Sequence, residues 1–301
     1  MRKYLATAGM VITLIVGGFL VFDTVPVVET SQAEARGTTS VPAYTLDFHK
    51  AQSRGPALRL KSALLVNYDN GSVIFAKNAD EVRPIASISK LMSAMVFLDQ
   101  QLDLDSTITI TQEDCRQSSK SRLRAGYRMT LRDLLYTSLM VSDNRSTRAL
   151  ARAVAGSYED FAALMNGKAR QLGLAHTSFV EPTGLDERNV STASEVARML
   201  YHTRSYPLIS RITSTSNYRV KVYNRRRPVL KSISNTNLLM HSPYDVLAGK
   251  TGYIRASQYC LVSLVQNRTG ERLTVVALGA PGAMTRFREA RKLVDWGFKQ
   301  I

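Results

Sequence analysis

Hydrophobic positions change their rhythm several times along this chain. Leu5 to Phe22 is an almost uncharged run of Val, Ile, Leu and Gly behind Arg2 and Lys3. Residues 36 to about 58 are rich in Thr, Ser, Pro and Gly and show little periodicity. From Ser62 the pattern becomes β-like. The runs 62–68 and 72–77 flank Asp69-Asn70-Gly71, and paired β-rich runs around Asn-Gly predict a hairpin. Ile88, Leu91, Met92 and Met95 share one helical face, which predicts a helix from Ser87 to about Asp99. Thr107 to Thr111 alternates as a short strand.

The middle of the chain reads as helical. Thr130 with Asp133, Ser157 with Asp160 and Thr192 with Glu195 fit helix-start capping pairs, opening helices near 131–140, 158–172 and 193–204. A further helix over about 144–155 ends at Gly156, and the helix over 193–204 stops before Pro207. Strands follow at 217–223, 228–232, 246–252, 258–266 and 272–279, with Gly270 as the last turn. An amphipathic helix over roughly 284–298 carries Phe287, Leu293, Val294 and Trp296. Strands, then inserted helices, then strands predict an α/β chain of the α+β type. The terminal pieces would build one antiparallel sheet flanked by helices, with a helical lobe beside it and a cleft between.

The first two segments carry the domain reading. Residues 1–35 resemble the basic and apolar regions of a secretory signal, with Ala33-Glu34-Ala35 offering small residues for cleavage after Ala35. The length of the apolar run and the gap from Phe22 to Ala35 leave an uncleaved membrane anchor as the rival. Residues 36–58 are expected to be a flexible tether and 59–301 a single catalytic domain. Export implies a periplasmic or otherwise extracytoplasmic protein.

Charge and composition narrow the chemistry. The chain of 301 residues carries a formal charge of +16. Removing residues 1–35 takes away two basic and three acidic residues, giving +17. The basic residues are scattered and no nucleic-acid motif accompanies them, so an anionic envelope polymer or membrane surface fits the charge better than nucleic acid. Arg225-Arg226-Arg227 reads as a solvated hairpin tip. Cys115 and Cys260 could bridge in an exported protein, although Cys260 sits in a strand-like run where a buried thiol is the usual role. His49, His176, His202 and His241 lack metal-ligand spacing, so neither metal nor cofactor is expected.

Three short motifs carry the chemistry: Ser87-Ile88-Ser89-Lys90, Ser142-Asp143-Asn144 and Lys250-Thr251-Gly252. Ser87 at a helix start would be the nucleophile, and its own unpaired N–H could face an oxyanion. Lys90, one turn on, projects from the same side and would be the general base once burial strips its proton. Ser142 would relay protons between the lysines and the leaving amine. Asn144 would hold a substrate carbonyl and Lys90, while Asp143 braces the loop. On a strand, alternation turns Lys250 and Gly252 toward the cleft, and Thr251 reaches it only through local twist. Lys250 and Thr251 would bind a substrate carboxylate. Gly252 would let a substrate backbone lie close, and the Tyr253 N–H would be the second oxyanion donor.

In this order the motifs resemble the signature shared by penicillin-binding proteins and serine β-lactamases. Ala86-Ser87-Ile88-Ser89-Lys90-Leu91-Met92, Pro182-Thr183-Gly184-Leu185, Ser191-Thr192-Ala193, Asn235-Thr236-Asn237-Leu238-Leu239 and Asp295-Trp296-Gly297-Phe298 extend the likeness from about Leu60 to Phe298. Together they resemble a low-molecular-mass penicillin-binding protein of the D-alanyl-D-alanine carboxypeptidase/endopeptidase family. The resemblance implies a penicillin-recognising α/β fold, an acyl-enzyme on Ser87, peptidoglycan stem peptides as substrate and β-lactams as covalent inhibitors. The compact form with S-D-N resembles the endopeptidase branch. Carboxypeptidases of this family place an arginine after the last strand to bind a terminal carboxylate. Here that segment reads Gly279-Ala280-Pro281-Gly282-Ala283, leaving Arg286 as the candidate. The rivals are a β-lactamase, which needs a glutamate such as Glu181 to aim water, and a catalytically inactive wall-binding scaffold.

Overall fold

The computed structural model describes residues 44–49, 51, 55–116, 121, 123–224 and 227–301. The expected signal or anchor over 1–35 and the residues Arg225 and Arg226 lie outside them. No helix among the described residues is long and apolar enough to cross a membrane.

Strands β1 (Ser62–Asn67) and β2 (Val73–Lys77) form the hairpin around Asn70-Gly71. Short β3 (Arg83–Pro84) leads into a 3-10 turn, Ala86–Ser89, and then helix α1 (Lys90–Asp99). The lobe begins with β4 (Thr107–Thr109), α2 (Gln112–Cys115) and β5 (Arg128–Thr130). It continues through α3 (Leu131–Met140), α4 (Asn144–Ala155) and α5 (Tyr158–Gln171). After β6 (Val190–Ser191) come α6 (Ala193–His202) and α7 (Pro207–Ser214). The hairpin β7 (Asn217–Tyr223) and β8 (Pro228–Ser234) follows. Then β9 (Asp245–Ile254), β10 (Gln258–Gln266), β11 (Arg272–Ala280) and α8 (Ala283–Gly297) close the chain.

The main sheet has the order β2-β1-β11-β10-β9 and is antiparallel throughout. Alternate residues serve its two faces. Leu64, Val66, Val262 and Val276 join the larger core, while Ala63, Leu65, Leu261 and Val275 pack against Phe287, Leu293 and Val294 of α8. Both faces are covered, so these strands read as nearly continuous apolar runs. Among the described residues strand β9 ends the sheet and pairs with β10 alone, so no strand lies along its other edge.

Four sequence expectations change. The hairpin 217–234 does not join the main sheet; it belongs to a separate sheet of order β4-β5-β7-β8 against the helical lobe. Pro207 starts a helix rather than returning the chain to strands, because a proline at the first helical position loses only an N–H that has no partner there. Helix α1 is buried all round from Lys90 to Phe97 rather than along one stripe, as befits a helix through the centre of a domain. The described part of the expected tether is bound: Tyr44 stacks on Tyr201 at 3.6 Å, and Asp47 exchanges backbone hydrogen bonds with Gly71 and Val73. Gly71 makes that approach possible, since a Cβ there would stand 2.4 Å from the Thr45 carbonyl oxygen. No disulfide joins Cys115 to Cys260, whose thiol is buried in β10.

Candidate active site

Ser87 sits in the 3-10 turn before α1, so its N–H belongs to a first turn and has no intrahelical acceptor. The residue before it, Ala86, is held at φ 48, a left-handed conformation that costs an L residue about 1–3 kcal/mol. Ser142 is held the same way at φ 59, in the corner between α3 and α4. Two strained residues flanking one cleft mark where packing overrides local preference.

Lys90 Nζ is fully buried and donates to three acceptors: Ser87 Oγ at 2.9 Å, Asn144 Oδ1 at 2.7 Å and the Thr183 carbonyl at 2.6 Å. Three segments far apart in sequence, the nucleophile turn, the start of α4 and the 181–185 loop, therefore meet on one nitrogen. Burial pulls this lysine down to about 7, with Glu181 and Asp143 acting in the opposite sense. Near neutral pH a large share of it is a free amine in hydrogen-bond contact with a hydroxyl. Such a pair can transfer the hydroxyl proton.

Lys250 Nζ donates to Ser142 Oγ at 2.9 Å and to the Thr251 carbonyl at 2.8 Å. Its side chain is buried, and burial, together with the nearby Lys90 and Arg286, holds it well below the ordinary lysine value. It therefore reaches the cleft through the Ser142 hydroxyl, not as an exposed cation. Asn144 opens α4, and Asp143 caps it by accepting from the Ser146 N–H at 2.8 Å.

The third motif faces differently from the alternation argument. Gly252 turns toward the nucleophile turn itself: a Cβ there would stand 3.0 Å from both Ile85 O and Ser87 N. Its missing side chain brings β9 against the protein's own turn, and Gly252 also lines the cleft. Thr251, on the opposite face, does line the cleft, and its hydroxyl lies 2.7 Å from that of Thr236.

The cleft has a volume of about 1070 Å³, and Ser87, Ser142, Asn144, Thr251 and Tyr253 all line it. The last four residues of β9, Thr251 to Ile254, and Arg255 after it line it together. Neighbours of both parities front one space only when a strand presents its edge, so this is an edge on which an extended peptide can lie.

Two participants, Thr236 and the Thr183 carbonyl, are not announced by the sequence, and a third, Arg286, is the candidate it offers for a carboxylate. Thr236 appeared only inside a longer matching segment; its hydroxyl bonds Thr251, and its N–H donates to the Met140 carbonyl at 3.0 Å. The Thr183 carbonyl is a backbone group that no residue type announces. Arg286 lines the cleft from α8, donating to the carbonyls of Gly252 at 3.0 Å and Cys260 at 3.3 Å. Glu181 is turned into its own loop. Its carboxylate accepts from Thr183 N at 2.8 Å, Thr183 Oγ1 at 2.6 Å, Gly184 N at 2.5 Å and Leu185 N at 2.9 Å.

A family model described as D-alanyl-D-alanine carboxypeptidase, peptidase S11, matches residues 49–282. The D-alanyl-D-alanine endopeptidase of Escherichia coli K12 is 36% identical over 245 residues, covering 80% of this chain and 78% of that protein. Its namesake from Pseudomonas aeruginosa is 38% identical over 239 residues, covering 78% and 76%. The crystal structure of the Streptomyces K15 DD-transpeptidase aligns with a TM-score of 0.76 at 26% identity, covering 82% of this chain and 99% of that one. With the motif residues gathered on one cleft and a family match over most of the chain, this protein belongs to the peptidase S11 family of D-alanyl-D-alanine carboxypeptidases.

Proposed function

We propose that this protein is a serine DD-peptidase that hydrolyses peptidoglycan stem peptides through an acyl-enzyme on Ser87, acting outside the cytoplasm as a cross-link endopeptidase. The observation that carries the reading is the 2.9 Å hydrogen bond between Lys90 Nζ and Ser87 Oγ in a buried site. Neutral Lys90 takes the Ser87 proton as Oγ attacks the D-alanine carbonyl carbon. The oxyanion that forms lies between the N–H groups of Ser87 and Tyr253. Ser142, hydrogen-bonded to Lys250, passes a proton to the departing amine. The Lys90 ammonium returns its proton to Ser142, which restores the neutral amine. Water then attacks the ester; Lys90 accepts the water proton and hands it to Ser87 Oγ as the acyl–oxygen bond breaks.

The leaving residue carries a carboxylate, for which the Thr251 and Thr236 hydroxyls and Arg286 are the nearest recognition groups on the cleft. A strained lactam presents the same carbonyl, and its leaving amine stays tethered after ring opening, so β-lactams would acylate Ser87 and persist. Glu181 supports peptidase over lactamase chemistry, because both its oxygens serve the 183–185 loop instead of aiming water.

The test is incubation with purified cross-linked and uncross-linked muropeptides, followed by mass. The expected result is conversion of dimers to monomers by wild type and none by Ser87→Ala, with a fluorescent penicillin labelling only the former. Sustained penicillin turnover, or an unlabelled wild type, would overturn the acyl-enzyme reading. Arg286→Gln should lower kcat/KM by about tenfold to a hundredfold, mostly through KM, the loss of one charge-assisted carboxylate contact. A change confined to kcat would remove Arg286 from substrate recognition.

A further inference from the structure

We propose that Lys231, with the free edge of β8, forms the subsite for the second stem peptide of a cross-link, binding one of its carboxylates. The inference rests on the acyl-enzyme reading above and specifies what makes the site accept a cross-link.

Lys231, Ser232, Ile233 and Ser234 line the cleft together with Ser87 and Thr236. Four consecutive residues of both parities again mean an edge, and β8 is the outermost strand of the sheet β4-β5-β7-β8. Among the described residues no further strand pairs with β9 or β8, so two strand edges border the cleft, with the nucleophile between the lobes that carry them. Unpaired backbone N–H and C=O groups on such edges bind extended peptides by strand addition. One edge serves the acyl donor. The other is available only to a substrate with a second peptide.

Lys231 is out of place by ordinary patterning. In the hairpin register it stands opposite Val220, and Ile233 stands opposite Tyr218, so it shares a face with residues of the core. Its ammonium lies 5.1 Å from the centre of the Tyr127 ring, and among the described residues no carboxylate pairs with it. A half-buried cation braced by an aromatic ring and facing a cleft is oriented for an anion from outside.

Reach sets the specificity. Five residue steps lead from Lys231 to Thr236, at most about 16 Å if fully extended. A single leaving D-alanine spans roughly 3.5 Å and stops beside Thr236, whereas three or four residues of a second stem span about 10–14 Å. The lysine side chain covers the remainder. The carboxylates of a second stem peptide can therefore reach Lys231, and a monomeric stem's terminal residue cannot.

The experiment compares KM and kcat for a purified cross-linked dimer and a monomeric pentapeptide. Lys231→Met keeps the apolar stem over Tyr127 and removes the charge; Lys231→Gln is the alternative if that variant is poorly folded, and Lys231→Arg restores the charge. Either uncharged variant should raise the dimer KM about tenfold, with kcat and the pentapeptide KM within about twofold of wild type. The arginine variant should recover most of the loss, and raising salt should weaken dimer binding in wild type more than in the uncharged variant. Equal shifts for both substrates, an unchanged dimer KM, or a wild type that takes the penicillin label but cleaves only pentapeptide would overturn the proposal. A wild type that takes no label would instead remove the acyl-enzyme reading on which it rests.

Discussion

Replacing Lys90 by methionine is expected to slow acylation of Ser87 by on the order of 10²–10⁴-fold, the usual worth of a positioned general base. The methionine fits an apolar site but leaves Ser87 without an acceptor for its proton. The same lysine sets the pH dependence of the wild type. Only the neutral amine can accept a proton, and burial brings its pKa to about 7. Acylation should therefore fall about tenfold for each unit below this value and level off above it, the behaviour of a single titrating base. Stopped-flow labelling of wild type with a fluorescent penicillin across the pH range measures the profile, and the variant should lose that limb. Labelling of Lys90→Met within a few-fold of wild type would assign the base to another group, and Lys250 through Ser142 would be the next to test.

The second large effect is expected from Gly184→Ala, a change of one methyl group outside the three motifs. Gly184 has φ +80, and a Cβ there would stand 1.9 Å from Ala86 O and 2.8 Å from Ser87 N. Both neighbours are backbone, so no side chain can swing aside. Relief must come from moving the nucleophile turn or the 181–185 loop that presents the Thr183 carbonyl to Lys90. Displacement of about 1 Å at a reacting group is worth about 10² in rate, and kcat/KM should drop by at least that much. Gly173→Ala separates the two causes: its φ is +67 but nothing lies within 4 Å of the added carbon. It should lose about 1–2 kcal/mol of stability from the left-handed backbone alone and keep its labelling rate. Similar labelling rates in both alanine variants would show that the turn tolerates the intrusion.

Much of this site was legible from the chain because its chemistry is written in residue types. A serine and a lysine three apart must share a helical side, and two apolar-rich blocks separated by capped helices can fold only into a few layered arrangements. The capping pairs at Thr130, Ser157 and Thr192 are local, and each does open a helix with its side chain accepting from the third residue. The failures are equally physical. The helix before Pro207 does stop ahead of it, but the sequence predicts strands after that proline where a helix starts, since a proline is equally at home at a first helical position. Strand pattern carries no address for a partner, so nothing in 217–234 tells that this hairpin joins β5 rather than the main sheet. Strand alternation also carries no sign of how closely Gly252 approaches Ile85 and Ser87 of the nucleophile turn.

The sequence by itself determined which groups are available: a hydroxyl at 87, amines at 90 and 250, a hydroxyl and an amide at 142 and 144, and their order along alternating strands and helices. Local spacing is enough for that, since period and capping depend on residues within one or two turns. Only the tertiary structure decided that Lys90 is dry, that Lys250 works behind Ser142, that Thr236 and Arg286 belong to the cleft, and that β8 offers it a second edge. Burial and convergence are properties of packing between distant segments, and desolvation, which changes a lysine from a cation into a base, exists only once those segments close over it.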